Sequence, residues 1–397
     1  MNVEQLLRTA VDDAVREVPP GFADVAVRRA ARARRRARVT AGGGAALVVA
    51  AAAVGIAVVG AGGPSTGADP AGSGEGTGLG TLGTGPTPEV AWYADGMLRF
   101  GDQTTPAGAA WEEEADRPNI QRVSGGYVLE TWDAGDVDGQ STLTLVRDDG
   151  ERIVLAAGDA TPPVVSADGE RIAWGLVDHS WVAEKDALAR AHTSTVVLAD
   201  AAGEQVAELP DAPSPGIRPY GFLPDGRLLL EASATTSWGL YSWTPGGEVT
   251  PLREDVGIVA ASPTGELAVL TDADGPGLVA DLATDAGGWR LPAGEFGELA
   301  FSPDGQYLAA LDRPVGTEAP DALVIRDAHD GDELARVPFR SIQELRWESP
   351  TTVVIEAYDD TGAALVRCSV GGDCERATEV HPADPGPDAF DRPYVLG

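Results

Sequence analysis

One phrase returns along this chain and constrains the fold more than any other feature. "FSPDGQYLAALD" occupies residues 301–312, and near-copies begin at Val165 ("VSADGERIAWG"), Phe222 ("FLPDGRLLLEA") and Ala261 ("ASPTGELAVLT"). In each copy a tight turn ending in Gly separates two apolar runs. Pro303 presets φ at the second turn position and Gly305 takes the last. The pattern reads as a hairpin whose strands are nearly continuously apolar, hence buried on both faces. A second hairpin type follows, as in "ALVIRDAHDGDELARV" (residues 322–337), where apolar and polar residues alternate more. An inner and an outer hairpin together make one four-stranded sheet.

The pairing recurs. Inner hairpins centre near Gly125, Gly169, Gly226, Gly265, Gly305 and Pro350, and outer ones near Gly150, Gly203, Gly246, Gly287, Gly331 and Gly371. This period, filled by strands, is that of propeller blades. One such sheet cannot bury both faces, whereas a closed ring of them can. A further hairpin, "AWYADGMLRF" (residues 91–100), stands alone at the start and reads as a seventh outer hairpin. Ring closure then predicts an all-β propeller of seven four-stranded blades, the first completed by the tail "RPYVLG" (residues 392–397). Six blades with an added hairpin is the alternative.

The "SPDGxxLA" phrase resembles the WD40-like repeats of TolB-type propellers, best at residues 301–311 and with decay over 90–380. True WD40 repeats pair Gly-His with a late Trp-Asp, and here that dipeptide occurs once, at Trp132-Asp133, on an inner strand. The layout as a whole resembles actinobacterial single-pass proteins with an extracytoplasmic propeller. A single lysine, Lys185, among many arginines, with abundant Ala, Gly and Asp, fits such a GC-rich source. The resemblance implies fold and topology and brings no catalytic residues.

Ahead of the repeats lie three zones. Residues 1–38 read as a cytoplasmic helical segment, with apolar positions at helical spacing, a stop at Pro19-Pro20, and an Arg cluster at Arg28, Arg29, Arg32, Arg34, Arg35, Arg36 and Arg38. Residues 39–63 carry no charge over 25 positions. At 1.5 Å per residue they suffice for a ~30 Å hydrocarbon core, and the arginines before them hold the N-terminus in the cytoplasm. So long a preceding segment favours a retained signal-anchor over a cleaved signal peptide. Residues 64–88 read as a disordered Gly/Ser/Thr/Pro linker, which leaves 89–397 as an extracytoplasmic propeller. "GPSTG" and "GLGTLG" in the linker match nucleophile and dinucleotide patterns but lack the strand and helix those motifs need.

Cys368 and Cys374 fall on the two arms of the last outer hairpin, directly opposite each other, and are expected to form a disulfide. Such a bond persists outside the cytosol. Four histidines and no Cys/His motif argue against a metal site, and the Asp133, Asp136, Asp138 run fails the EF-hand pattern. A net charge of -33 argues against nucleic acid. No motif predicts catalysis or a cofactor.

Strand order puts the hairpin turns at one end of a propeller and all other connections at the opposite end. The turns are short, whereas the long insertions belong to the second class. Residues 177–193 are the richest of these, with Asp178, His179, Trp181, Glu184, Lys185 and His192 as candidates for a partner face. The expected function is a membrane-tethered module that binds a protein or a cell-envelope component. Two alternatives are a transmembrane signalling protein of anti-sigma type with a propeller sensor, and an envelope enzyme using the central channel. The enzyme reading calls for charged groups at the starts of inner strands, most of which look apolar.

Overall fold

Among the described residues every strand is hydrogen-bonded into one of seven antiparallel four-stranded sheets. The computed structural model describes residues 77–108, 119–132, 141–158, 160–177, 194–210, 217–233, 238–272, 275–282, 284, 288–295, 298–313, 320–383 and 392–397. Six sheets are built from consecutive strands. The remaining one is ordered Val395–Leu396, Trp92–Ala94, Met97–Phe100, Gln103–Pro106, so the chain's last strand is the innermost strand of blade one. Trp92 pairs with Leu396 and Tyr93 with Val395. The count of seven and the closure by the C-terminal tail are as expected.

The buried apolar residues show why the sheets form a ring. They divide into seven clusters, each shared by two successive blades. Blades one and two meet through Leu98, Ile120 and Tyr127. Blades seven and one, far apart in sequence, meet through Val354, Leu365, Trp92 and Leu396. A sheet in the ring is therefore covered on both faces, which an isolated blade cannot achieve.

Burial also corrects two expectations. The continuously buried strands of blade six are its second and third, Tyr307–Asp312 and Ala322–Asp327. The first strand, Leu299–Phe301, is only partly buried, and the fourth, Glu333–Pro338, is mostly exposed. The apolar hairpin around Asp95-Gly96 is accordingly the second and third strands of blade one, not an outer pair. Its fourth strand is the polar Gln103–Pro106. Asp95 and Gly96 both take positive φ (50° and 76°), a two-residue turn matched to strand twist.

The recurrent turn glycines have a second duty. Gly305 sits at φ 73°, and a Cβ there would meet Ser262 Oγ of the preceding blade's turn at 2.5 Å. A Cβ on Gly265 would meet Pro224 Cδ of the turn before it at 2.5 Å. The short turns thus stack on one another around one end of the ring, and the repeated phrase encodes that contact as well as the bend.

The linker ends earlier than residue 88. Residues 77–88 lie against blades six and seven as a strap, with a short 3-10 turn at Leu79–Thr81. Leu79, one of two large apolar residues in the glycine-rich stretch, is completely buried between these blades, and Leu82 packs beside it. The "GLGTLG" match is part of this strap. Among the described residues no helix is long and apolar enough to cross a membrane. Residues 1–38 with their seven clustered arginines, the expected span at 39–63, and residues 64–76 lie outside the described residues.

Candidate functional site

The innermost strand of each blade has a neighbour on one side only, so its axial N–H groups need acceptors from elsewhere. In three places a glutamate of the preceding blade supplies one. Ile258 N–H donates to Glu231 at 3.0 Å, Leu345 N–H to Glu298 at 3.0 Å, and Leu396 N–H to Glu344 at 2.8 Å. Side-chain donors serve axial carbonyls in the same way. Trp347 Nε1 donates to Ala300 O (2.8 Å), Gln121 Nε2 to Pro163 O (2.5 Å), and the Tyr220 hydroxyl to Val259 O. Bulges at Tyr220, Val259 and Gln343-Glu344 turn these inner strands out of regular register beside the contacts.

These groups concentrate at the loop-bearing end of the ring, where blade seven meets blade one. Arg392, just ahead of the closing strand, pairs with Glu344 of the inner strand of blade seven (2.8 Å) and, through Nε, with Glu356 of the next strand (2.6 Å). Tyr358 donates to the other oxygen of Glu356 at 2.6 Å. Arg346 bonds Glu298 at 2.9 Å. Three carboxylates therefore face two guanidiniums. Burial and the charge of Glu344 raise Glu298 to about 7, although Arg346 and Arg392 oppose the shift. Burial also raises Glu356, against the pull of Arg392. Glu344 ends below its ordinary value, because Arg392 and Arg346 outweigh its burial.

The same strand position recurs in other blades with different partners. Glu231 is ion-paired with Arg218, its cross-strand neighbour on the inner strand. Glu130 occupies the matching place in blade two, and its inner-strand neighbour is Asn119. Glu130 is 2% exposed, one of its oxygens has no hydrogen-bond partner, and burial raises it to about 8.

The outer hairpin of blade seven carries the expected disulfide. Cys368 and Cys374 are directly paired across the strands and bonded. The candidate partner residues Asp178, His179, Trp181, Glu184, Lys185 and His192 lie outside the described residues, as do Asp133, Asp136 and Asp138. The strands flanking residues 178–193, Arg171–Val177 and Ser194–Asp200, are the second and third of blade three, so this connection belongs to the loop-bearing end. Sequence reading missed the closure cluster. The first residues of inner strands are indeed mostly apolar, but charged residues stand within a few places of them, at Arg218, Glu298, Glu344 and Arg392. Among the described residues no group of three or more His, Cys, Asp or Glu is arranged to hold a metal ion.

No family model matches the sequence, and no curated protein matches it. Solved structures do. TolB from Acinetobacter baumannii is 16% identical, with a TM-score of 0.39, over 65% of this chain and 77% of that one. The β-propeller domain of the Trilobed protease from Pyrococcus furiosus, described as having an open velcro topology, is 14% identical with a TM-score of 0.38 over 69% of this chain and all of that one. A prolyl endopeptidase is 14% identical with a TM-score of 0.49, and the match spans 77% of this chain but only 49% of that one.

Proposed function

We propose that the chain is a membrane-tethered, extracytoplasmic seven-bladed propeller, a binding module and not an enzyme, whose loop-bearing end engages a protein or a cell-envelope component. One observation carries this reading. The connections within the inner hairpins are tight turns that stack on each other at one end, while the connections at residues 133–140, 178–193, 211–216 and 314–319 all join strand ends at the other. Variable loops on a rigid scaffold are where recognition concentrates. The Cys368–Cys374 bond supports an oxidising compartment. Of the 62 acidic and 29 basic residues, seven acidic and nine basic precede residue 77, leaving 55 against 20 in the strap and ring. Such a surface steers a basic partner toward it.

A photo-crosslinking residue placed at Trp181, and as a control at Asp330 in an outer turn, tests the reading in the native membrane. A specific adduct from position 181 alone is expected. Equal yields from both ends, or an adduct from 330 only, overturn it. Deleting residues 1–38 leaves the adduct in place on this reading, and its loss favours a signalling protein that holds its partner in the cytoplasm.

A further inference from the structure

We propose that the Cys368–Cys374 bond is a clasp that holds residues 77–88 on blade seven and so fixes where the chain leaves the ring. The outermost strand of this blade, Cys374–Arg376, has only three residues. Its three cross-strand pairs to the neighbouring strand are Val366–Arg376, Arg367–Glu375 and the cystine itself. The strap hangs from the far end of this short strand. Arg376 N–H donates to Gly83 O (2.8 Å) and Arg376 O accepts from Gly85 N–H (2.7 Å). The Arg376 side chain reaches Leu82 O (3.3 Å) and Thr84 Oγ1 (3.2 Å). Arg367, held by Glu348 and Glu375, donates to Pro86 O (3.1 Å) and Thr87 O (3.2 Å). A three-residue edge strand is marginal by itself. The strap's polar contacts over residues 82–85 therefore depend on a strand that the disulfide pins, while those at Pro86 and Thr87 rest on Arg367 of the neighbouring strand Gly362–Ser369.

Reduction by a dithiol breaks the S–S bond, leaves two thiols on the protein and turns the reductant into its own disulfide. The cysteines are six positions apart. Losing so short a loop closure raises the opening of the hairpin roughly 30-fold. With the strap docked, thirteen residues separate Gly63 from Thr77, a span of at most roughly 45 Å. With it released, twenty-five residues separate Gly63 from Glu89, and the span grows to roughly 85 Å. This leash consequence rests on the anchored reading proposed above, but the clasp does not.

Hydrogen exchange read by mass spectrometry on the full chain, oxidised and after dithiothreitol, tests the clasp. Exchange in peptides covering residues 77–88 and 369–376 is expected to rise roughly 30-fold on reduction, with blades two to five unchanged. Cys368→Ser with Cys374→Ser should reproduce the reduced state. Leu79→Ser should free residues 77–88 while 369–376 stay protected, because the dependence runs from strand to strap. Unchanged exchange over 77–88 on reduction overturns the proposal. So does loosening of all blades together, or equal loosening of both peptides in Leu79→Ser. Resistance of the chain to alkaline carbonate extraction tests the membrane anchor separately, and its failure leaves the exchange result standing.

Discussion

Glu130→Gln should gain stability relative to wild type as pH rises. Glu130 is buried with Asn119 as its inner-strand neighbour, and its carboxyl titrates at about 8 where an unperturbed one titrates at 4.5. Between these values the folded chain binds a proton that the unfolded chain has released. The contribution of this group is therefore intact below 4.5 and is lost progressively as pH rises to about 8. One pH unit of such a difference is worth about 1.4 kcal/mol, so the span from pH 5 to pH 9 amounts to ~4 kcal/mol for this carboxyl. Gln has the shape of the protonated acid and does not titrate. For a ring of this size 1 kcal/mol moves Tm by about 1.5 °C, so the variant should gain ~6 °C on wild type between pH 5 and pH 9. Tryptophan fluorescence melts of both proteins at the two pH values measure the difference, and comparing them cancels every other titrating group. A Tm difference that is the same at both values would refute the reasoning, because it would mean that the carboxyl ionises freely where it sits.

Four further outcomes follow from the same structure. Asn119→Arg supplies Glu130 with the partner that Arg218 gives Glu231, and should remove most of the pH dependence just described, read by the same melts. Gly305→Ala combines a positive φ with a 2.5 Å approach to Ser262 Oγ and should cost ~2–3 kcal/mol. Gly150→Ala, at φ 88° with nothing within 4 Å of its Cβ, should cost only ~1 kcal/mol, as judged by denaturant midpoints. Arg392→Met leaves the completely buried Glu356 without its counter-ion and should cost ~3–5 kcal/mol, with early exchange of the closing strand seen by hydrogen exchange.

What could be read from the sequence was local. Each copy of the turn phrase, like the cysteine pair, lies within a single hairpin, where neighbours in sequence fix the geometry. Sheet position was less legible. The hairpin around Asp95-Gly96 has two apolar arms and a tight turn, which define a hairpin but not its place between axis and rim. Only its pairing with Val395–Leu396, some 300 residues away, assigns it to the second and third strands. Leu79 was hidden for the opposite reason, since a glycine-rich context reads as tether until a cleft between two blades receives the leucine. Arg392, Glu344 and Glu356 come from three separate segments, and nothing in their spacing announces that ring closure brings them together. The partner residues proposed around Trp181 lie in an insertion that strand order alone assigns to an end of the ring.

The closure cluster bears on what the loop-bearing end can do. A ring of antiparallel sheets exposes seven inner edges to its axis, and axial N–H groups that lack a strand partner must find an acceptor in side chains or solvent. Here Glu231, Glu298 and Glu344 each reach across to the next blade, and Arg392 and Arg346 hold two of them in place. Each carboxylate therefore has a backbone donor, and a ligand taking one over would have to replace that donor or leave it unpaired, a loss of about 1–3 kcal/mol for each buried group. The axial charges thus favour holding the ring shut over changing partners. On the binding reading proposed above, recognition then falls to the loops around the axis. On this argument, replacing residues 178–193 by a short turn should abolish partner capture and leave the melting temperature within a few degrees of wild type. A fall in stability as large as that of Arg392→Met would show instead that the insertion is part of the closure.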